Sequence, residues 1–196
     1  MKKFKTEKRI AKIEKVLRSR QHSLHVVLEN IHDPHNVSAI FRSCDAVGIP
    51  KVSLIYNIEK FPKLNRTSSA SARKWVSIQR YKDVKTCYEK LRADGFKIYA
   101  SLLDSKAKNL YDIDFTEKSA IVLGNESRGV SELAAGLADE TFYIPMYGMI
   151  QSLNVSVANA VTLYEALRQR RTAGFYDDRE IDEIELKKMI DEWCRK

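Results

Sequence analysis

Polar side chains and glycines collect in three stretches of this chain: Asn30–Gly48 (NIHDPHNVSAIFRSCDAVG), Ile121–Ser131 (IVLGNESRGVS) and Tyr143–Gln169 (YIPMYGMIQSLNVSVANAVTLYEALRQ). In the first, Pro34 and Asn36 stand where a strand-like run gives way to a helical one. The unpaired backbone N–H groups of such a junction suit an anion. Arg42 follows six residues later, on a helix otherwise filled by Val37, Ile40, Phe41 and Val47. Taken alone it reads equally as a surface arginine on an amphipathic helix or as a paired functional one. In the second stretch an apolar strand ends at Gly124, and Glu126 and Arg128 precede the next helix. Glycine there lets a ligand approach the backbone closely, and it serves a purely structural turn as well. In the third, a strand runs into Pro145, Gly148 and the triplet Ser152-Leu153-Asn154, then into a helix that is apolar on most sides. Ser152 or Asn154 fits as the N-cap of that helix.

The elements that must carry these stretches alternate. Strands are expected at Leu24–Leu28, Val52–Tyr56, Lys97–Leu102, Ala120–Leu123 and Thr141–Ile144, with helices at Val37–Val47, Asp83–Ala93, Val130–Ala138 and Ser156–Arg171. Gly48, Gly95 and Gly136 read as helix stops. Alternation of this kind means an α/β fold with a mainly parallel sheet and helices on both faces. Glu59 to Lys74 lacks periodicity and reads as a loop, and Asp177–Cys194 reads as one more helix. The chain divides into a basic helical arm (1–20), an α/β body (21–172) and a helical extension (173–196).

Ligands of parallel sheets bind beyond the carboxyl ends of the strands. The chain carries neither GxGxxG nor GxxxxGK[ST]: Gly124–Gly129 has phosphate-loop spacing but no Lys-Ser/Thr after it. A GxSxG nucleophile turn is absent too. His22, His25, His32 and His35 cluster in sequence without a cysteine or carboxylate pattern to complete a site, so no metal is expected. Three widely spaced cysteines suggest no disulfide framework.

The composition, 44% hydrophobic and 31% charged, belongs to a globular chain. No apolar run reaches membrane-spanning length, and the lysines at the N-terminus lead into no signal-like apolar region, so a cytoplasmic protein without membrane contact is expected. Nine basic residues against Glu7 and Glu14 leave residues 1–20 at +7 of a total of +8. A basic arm on a near-neutral body suits a binder of phosphate backbones, although a solvated amphipathic helix would look similar.

In their order and spacing the three stretches resemble the motifs of the SPOUT methyltransferases, and within them the RNA ribose 2′-O-methyltransferases. The segments that match are NVSAIFRSCDAVG, IVLGNESRG and IPMYGMIQSLNVSVANAVTLYE, and the likeness extends over roughly residues 18–176. It is greatest to the branch that acts on the D-loop guanosine at tRNA position 18. The resemblance implies a homodimer whose C-terminal trefoil knot forms the pocket for S-adenosyl-L-methionine, with tRNA as partner. A knot lies outside ordinary connection rules and could not be read from patterning. Ribosomal RNA is the alternative substrate, and a non-catalytic RNA-binding protein on the same scaffold is the alternative of another class.

Matched residue by residue, the resemblance assigns Ser101, Gly124, Ile144 and Leu153 to the cofactor, largely through backbone groups. It places Arg42 at the centre of catalysis, with Asn36, Glu126, Ser152 and Asn154 around it. A guanidinium stays protonated in proteins, so the role expected of Arg42 is electrostatic: it fixes a phosphate and stabilises charge on the 2′-oxygen. Ser152 and Asn154 would orient the ribose, and Glu126 would hold Arg42 or Asn36. The RNA contacts expected are Arg9, Arg18 and Arg20 in the arm, Lys74 in the loop, and Arg168 and Arg171 after the third motif.

Overall fold

The computed structural model describes residues 6–62, 74–177 and 182–195. Its strands are β1 (Leu24–Glu29), β2 (Lys51–Ile55), β3 (Ser77–Tyr81), β4 (Lys97–Ser101), β5 (Lys108–Asn109), β6 (Ser119–Leu123) and β7 (Glu140–Tyr143). They form one sheet in the order β3-β2-β1-β6-β4-β7-β5, and every neighbouring pair is parallel. The helices are α1 (Glu7–Arg18), α2 (Pro34–Ala46), α3 (Val84–Ala93), α4 (Glu132–Leu137), α5 (Val155–Thr172) and α6 (Glu183–Arg195).

Strands β1 and β6 lie at the centre, paired from Leu24↔Ser119 to Leu28↔Leu123. Both are buried along their whole length, as parallel strands covered on two faces must be. Leu24, Val26 and Leu28 join Ile121 and Leu123 in a core shared with Val37, Ile40 and Phe41 of α2 and Leu163 and Ala166 of α5. Val27, Ala120 and Val122 point the other way, toward Val84, Tyr88 and Leu91 of α3 and Ala134 of α4. Each Val, Leu, Ile or Phe side chain fully buried there contributes about 1.5–3 kcal/mol. The chain thus leaves β1 for α2 on one face and leaves β6 for α4 on the other. The space beyond the carboxyl ends of the strands is the place where sheets of this type hold ligands.

The helix starts follow local capping chemistry. Asp33 accepts from the His35 N–H with Pro34 in the first turn of α2, and Asp83 and Ser131 cap α3 and α4. Gly48 and Gly95 stop α2 and α3 with positive φ, but Gly136 lies inside α4 rather than at its end. The expected strand and helix bounds agree to within three residues. Two strands were not anticipated. In β3, SIQRY has no residue buried below a tenth, and β5 is two residues long. Most of the Glu59–Lys74 loop falls outside the described residues. The C-terminal helix starts at Glu183, six residues later than expected.

Helices α1 and α6 pack on each other through Ile13, Leu17, Leu186, Ile190 and Cys194, so the two ends of the chain form one helical pair. Trp193 stacks there on Trp75 with ring centroids 4.7 Å apart. Two buried arginines fasten the body. Arg20 is only 2% exposed. It donates to the carbonyl of Ile49 at 2.9 Å, the carboxylate of Asp45 at 2.7 Å and the carbonyl of Trp75 at 3.2 Å. This corrects its expected place among the RNA contacts, because its guanidinium is spent inside the fold. Arg170 is fully buried and donates to the carbonyls of Phe115, Ser23 and Glu117 and to the side chains of Gln21 and Ser23. It ties the end of α5 to the amino ends of β1 and β6.

Candidate active site

The loops leaving β4, β6 and β7 enclose a groove of about 540 Å³ bordered by Ser101, Gly124, Glu126, Ser152, Leu153 and Asn154, among others. A second hollow of about 160 Å³ shares Ser101, Ser152 and Leu153 and adds Ile144. All four residues expected to hold a cofactor therefore line this pair of hollows. Gly124 admits no side chain: a Cβ there would overlap the backbone of Gly129 and Val130. The reason is the turn Asn125–Gly129, which folds back through a hydrogen bond from the Gly129 N–H to the Asn125 carbonyl at 2.8 Å. The glycine thus fixes the groove wall at the end of β6.

Three of the expected catalytic residues meet at the groove's edge. Asn36 donates its amide to Glu126 Oε1 at 2.9 Å. Asn154 donates its own amide to Asn36 Oδ1 at 3.0 Å. Glu126 also accepts from the backbone N–H groups of His32 at 2.9 Å and Asp33 at 3.0 Å. The anion expected at the start of α2 is therefore the protein's own carboxylate. Burial raises the Glu126 carboxyl, but the bonds from Asn36, His32 and Asp33 outweigh it and hold the group below the ordinary glutamate range. Glu126 is thus an ionised acceptor at neutral pH, and it holds Asn36.

Asn154 is the N-cap of α5, accepting from the Ser156 N–H at 2.9 Å while its amide serves Asn36. The helix cap and the link to Asn36 coincide in one residue. Ser152 is exposed on the groove. Arg42 is exposed on α2, about 9 Å of helix rise beyond Asn36, and lines neither hollow.

Several supporting residues were missed in the sequence. Asn30 has a φ of +53°, a conformation asparagine tolerates better than most residues. Its Oδ1 accepts from three consecutive N–H groups, Asn57, Ile58 and Glu59. Asn125 donates to the Asn30 carbonyl at 2.8 Å and accepts from the N–H groups of Ser127 and Arg128. The polar run Asn125-Glu126-Ser127 at a strand end carries the signal of such a side-chain turn. Glu59 in turn meets Arg128 at 2.8 Å and His32 at 3.4 Å.

The remaining candidates lie apart from the groove. Arg9 sits 5.6 Å from the Trp75 ring and borders, with Lys74, a hollow between α1 and Trp193. Arg18 pairs with Glu14 and Glu183, Arg168 pairs with Glu165, and Arg171 is exposed. His25 is buried on β1 and bonds to Ser53. Burial and then Lys51 push its pKa down to about 4, so it is neutral at pH 7. Among the described residues, no three of His, Cys, Asp or Glu converge as metal ligands, and no helix is long and apolar enough to cross a membrane.

A groove lined by asparagine and glutamate side chains thus lies over the strand ends of a parallel α/β sheet, where sheets of this type hold ligands. A family model, the SpoU rRNA Methylase family, matches residues 23–164, and the chain belongs to that family. It is 45% identical to the tRNA (guanosine(18)-2'-O)-methyltransferase of Thermus thermophilus over 98% of both chains. It is 40% identical to the Escherichia coli enzyme of the same name over 86% of this chain and 73% of that one. The A. aeolicus TrmH/SpoU tRNA modifying enzyme matches in structure with a TM-score of 0.88 at 38% identity, over 96% of each chain. The SpoU methyltransferase AviRb from Streptomyces viridochromogenes, in complex with AdoMet, matches with a TM-score of 0.64 at 25% identity, over 79% of this chain and 61% of that one.

Proposed function

We propose that this chain methylates the ribose 2′-hydroxyl of guanosine 18 in tRNA, using S-adenosyl-L-methionine. The observation that carries the reading is the linked set Glu126–Asn36–Asn154 beside the groove over the strand ends. It joins all three motifs at one point, in a chain whose near-full-length relatives bear that activity in their names.

The groove fits the cofactor. Its volume falls within the range of about 300–1,000 Å³ usual for small-ligand sites. Ser101, Gly124 and Leu153 line it, Ile144 lines the adjoining hollow, and ionised Glu126 complements a sulfonium cation. The cofactor supplies a methyl group already activated for transfer. The protein's task is to place an oxygen in line and to make it a better nucleophile. Asn36 is held with a fixed amide orientation by Glu126 on one side and Asn154 on the other, so its polar atoms are preorganised. Ser152 and Asn154 orient the ribose. Arg42 fixes a phosphate of the substrate strand and stabilises charge developing on the 2′-oxygen. The C-terminal trefoil knot belongs to the same reading, formed around the groove by the chain between β6 and α5.

The enzyme acts as a homodimer. Val157 and Tyr164 leave one side of α5 exposed, and Tyr147, Met149 and Ile150 expose apolar surface in the loop before it. Large apolar side chains left exposed on this helix and on the loop before it suit a partner surface. Arg9, Arg18, Lys74, Arg168 and Arg171 supply phosphate contacts. Transfer of a tritiated methyl group onto unmodified tRNA, with ribosomal RNA in parallel, tests the reading. Label in tRNA is expected, and label in ribosomal RNA alone would contradict it.

A further inference from the structure

We infer that Arg128 is a phosphate-binding residue for the RNA strand entering the groove, and that Glu59 is the counter-ion that occupies it in the free protein and yields it to a phosphate. Arg128 stands on the groove's rim, half exposed, two residues from the Glu126 that holds Asn36. Its guanidinium is 2.8 Å from Glu59 Oε1. Glu59 also lies 3.4 Å from the ring of His32, whose backbone N–H is bound by Glu126.

Glu59 is not placed by chance. Its backbone N–H is the third of three gathered by Asn30 Oδ1, and Asn30 stands at the end of β1 in a left-handed conformation. Arg128 is fixed from the other side, because its N–H is bound by Asn125, which also donates to the Asn30 carbonyl. One residue, Asn30, therefore sets both ends of the ion pair. A loop built so closely around a half-exposed pair is unusual, since such pairs contribute little stability by themselves. The pair does have an electrostatic effect on the site. It puts a carboxylate beside the rim of the groove, and a guanidinium in the bidentate-capable form that phosphates favour. An incoming phosphate takes Glu59's place on Arg128, and the displaced carboxylate lowers affinity for strands that do not deliver a phosphate to that point.

This rests on the proposal that RNA is the substrate, so wild-type enzyme is first shown to bind and methylate tRNA transcript; failure there removes the substrate reading itself. Arg128→Ala, Glu59→Gln and the double variant are then compared in the full chain. Arg128→Ala is expected to weaken transcript binding about tenfold, as loss of a charged hydrogen bond does, and to reduce the salt slope by about 1. Its calorimetric affinity for S-adenosylmethionine stays unchanged. Glu59→Gln is expected to tighten transcript binding severalfold, seen as a lower KM, and to lose that effect in the Arg128→Ala background. An unchanged salt slope in Arg128→Ala would overturn the inference. So would weakened cofactor binding in that variant, which would assign Arg128 to the cofactor carboxylate instead. Tightening by Glu59→Gln that persists without Arg128 would remove Glu59's role as the competing counter-ion.

Discussion

The side-chain amide of Asn154 donates to the side-chain oxygen of Asn36 at 3.0 Å, across 118 positions of sequence. The first motif is thereby tied to the third, and the second joins through the bond from Asn36 to Glu126. Asn36 has one amide orientation that satisfies both neighbours: nitrogen toward the carboxylate and oxygen toward Asn154. Asn36→Asp places a second carboxylate against Glu126 and is expected to lower the single-turnover rate roughly 10²-fold, as loss of one preorganised donor does. Cofactor affinity, measured by calorimetry, should change little.

Arg42 is exposed and lines neither hollow, so its removal should spare the cofactor. Arg42→Ala is expected to abolish methyl transfer with cofactor binding nearly intact. Retention of more than about a tenth of the wild-type rate, at saturating cofactor and RNA, equals a barrier change under about 1.4 kcal/mol. That result would remove Arg42 from the chemistry.

Arg170 and Arg171 are neighbours with opposite roles. Arg170 is buried among carbonyls, and Arg170→Met leaves those acceptors unmet, at a cost of about 3 kcal/mol or more. Arg171 is exposed, and Arg171→Ala should stay within about 0.5 kcal/mol in stability while weakening RNA binding. Denaturant titration and a filter-binding assay separate the two.

The exposed side of α5 identifies which residue tests the dimer. Leu163 is fully buried within the chain, whereas Val157 is 47% exposed. Val157→Glu is expected to give a folded monomer by sedimentation, since an unpaired charge in an interface costs several kcal/mol. It is also expected to weaken cofactor binding, because Ser152, Leu153 and Asn154 precede that helix directly. A folded monomer with wild-type cofactor affinity would break the coupling.

Much of this architecture was legible because hydrophobic patterning reports burial. β1 and β6 are apolar throughout and were placed within a residue of their observed bounds. β3 escaped because SIQRY lies at the sheet edge with polar side chains and no fully buried position. The three motifs gave Asn36, Glu126 and Asn154, but the bonds among them join residues 90 and 118 positions apart, which no local pattern encodes. Charge counting treats every arginine alike. It placed Arg20 on the surface and passed over Arg170, and only the positions of carbonyls elsewhere in the fold show that both are internal ties.

The most direct test of the account is to map the modified nucleotide. Wild-type enzyme and unmodified tRNA transcript are incubated with S-adenosylmethionine, and nuclease fragments are analysed by mass. The account predicts one added methyl on the ribose of guanosine 18, absent when the enzyme carries Arg42→Ala. A methyl group on a base, or on a ribose elsewhere in the tRNA, would contradict it.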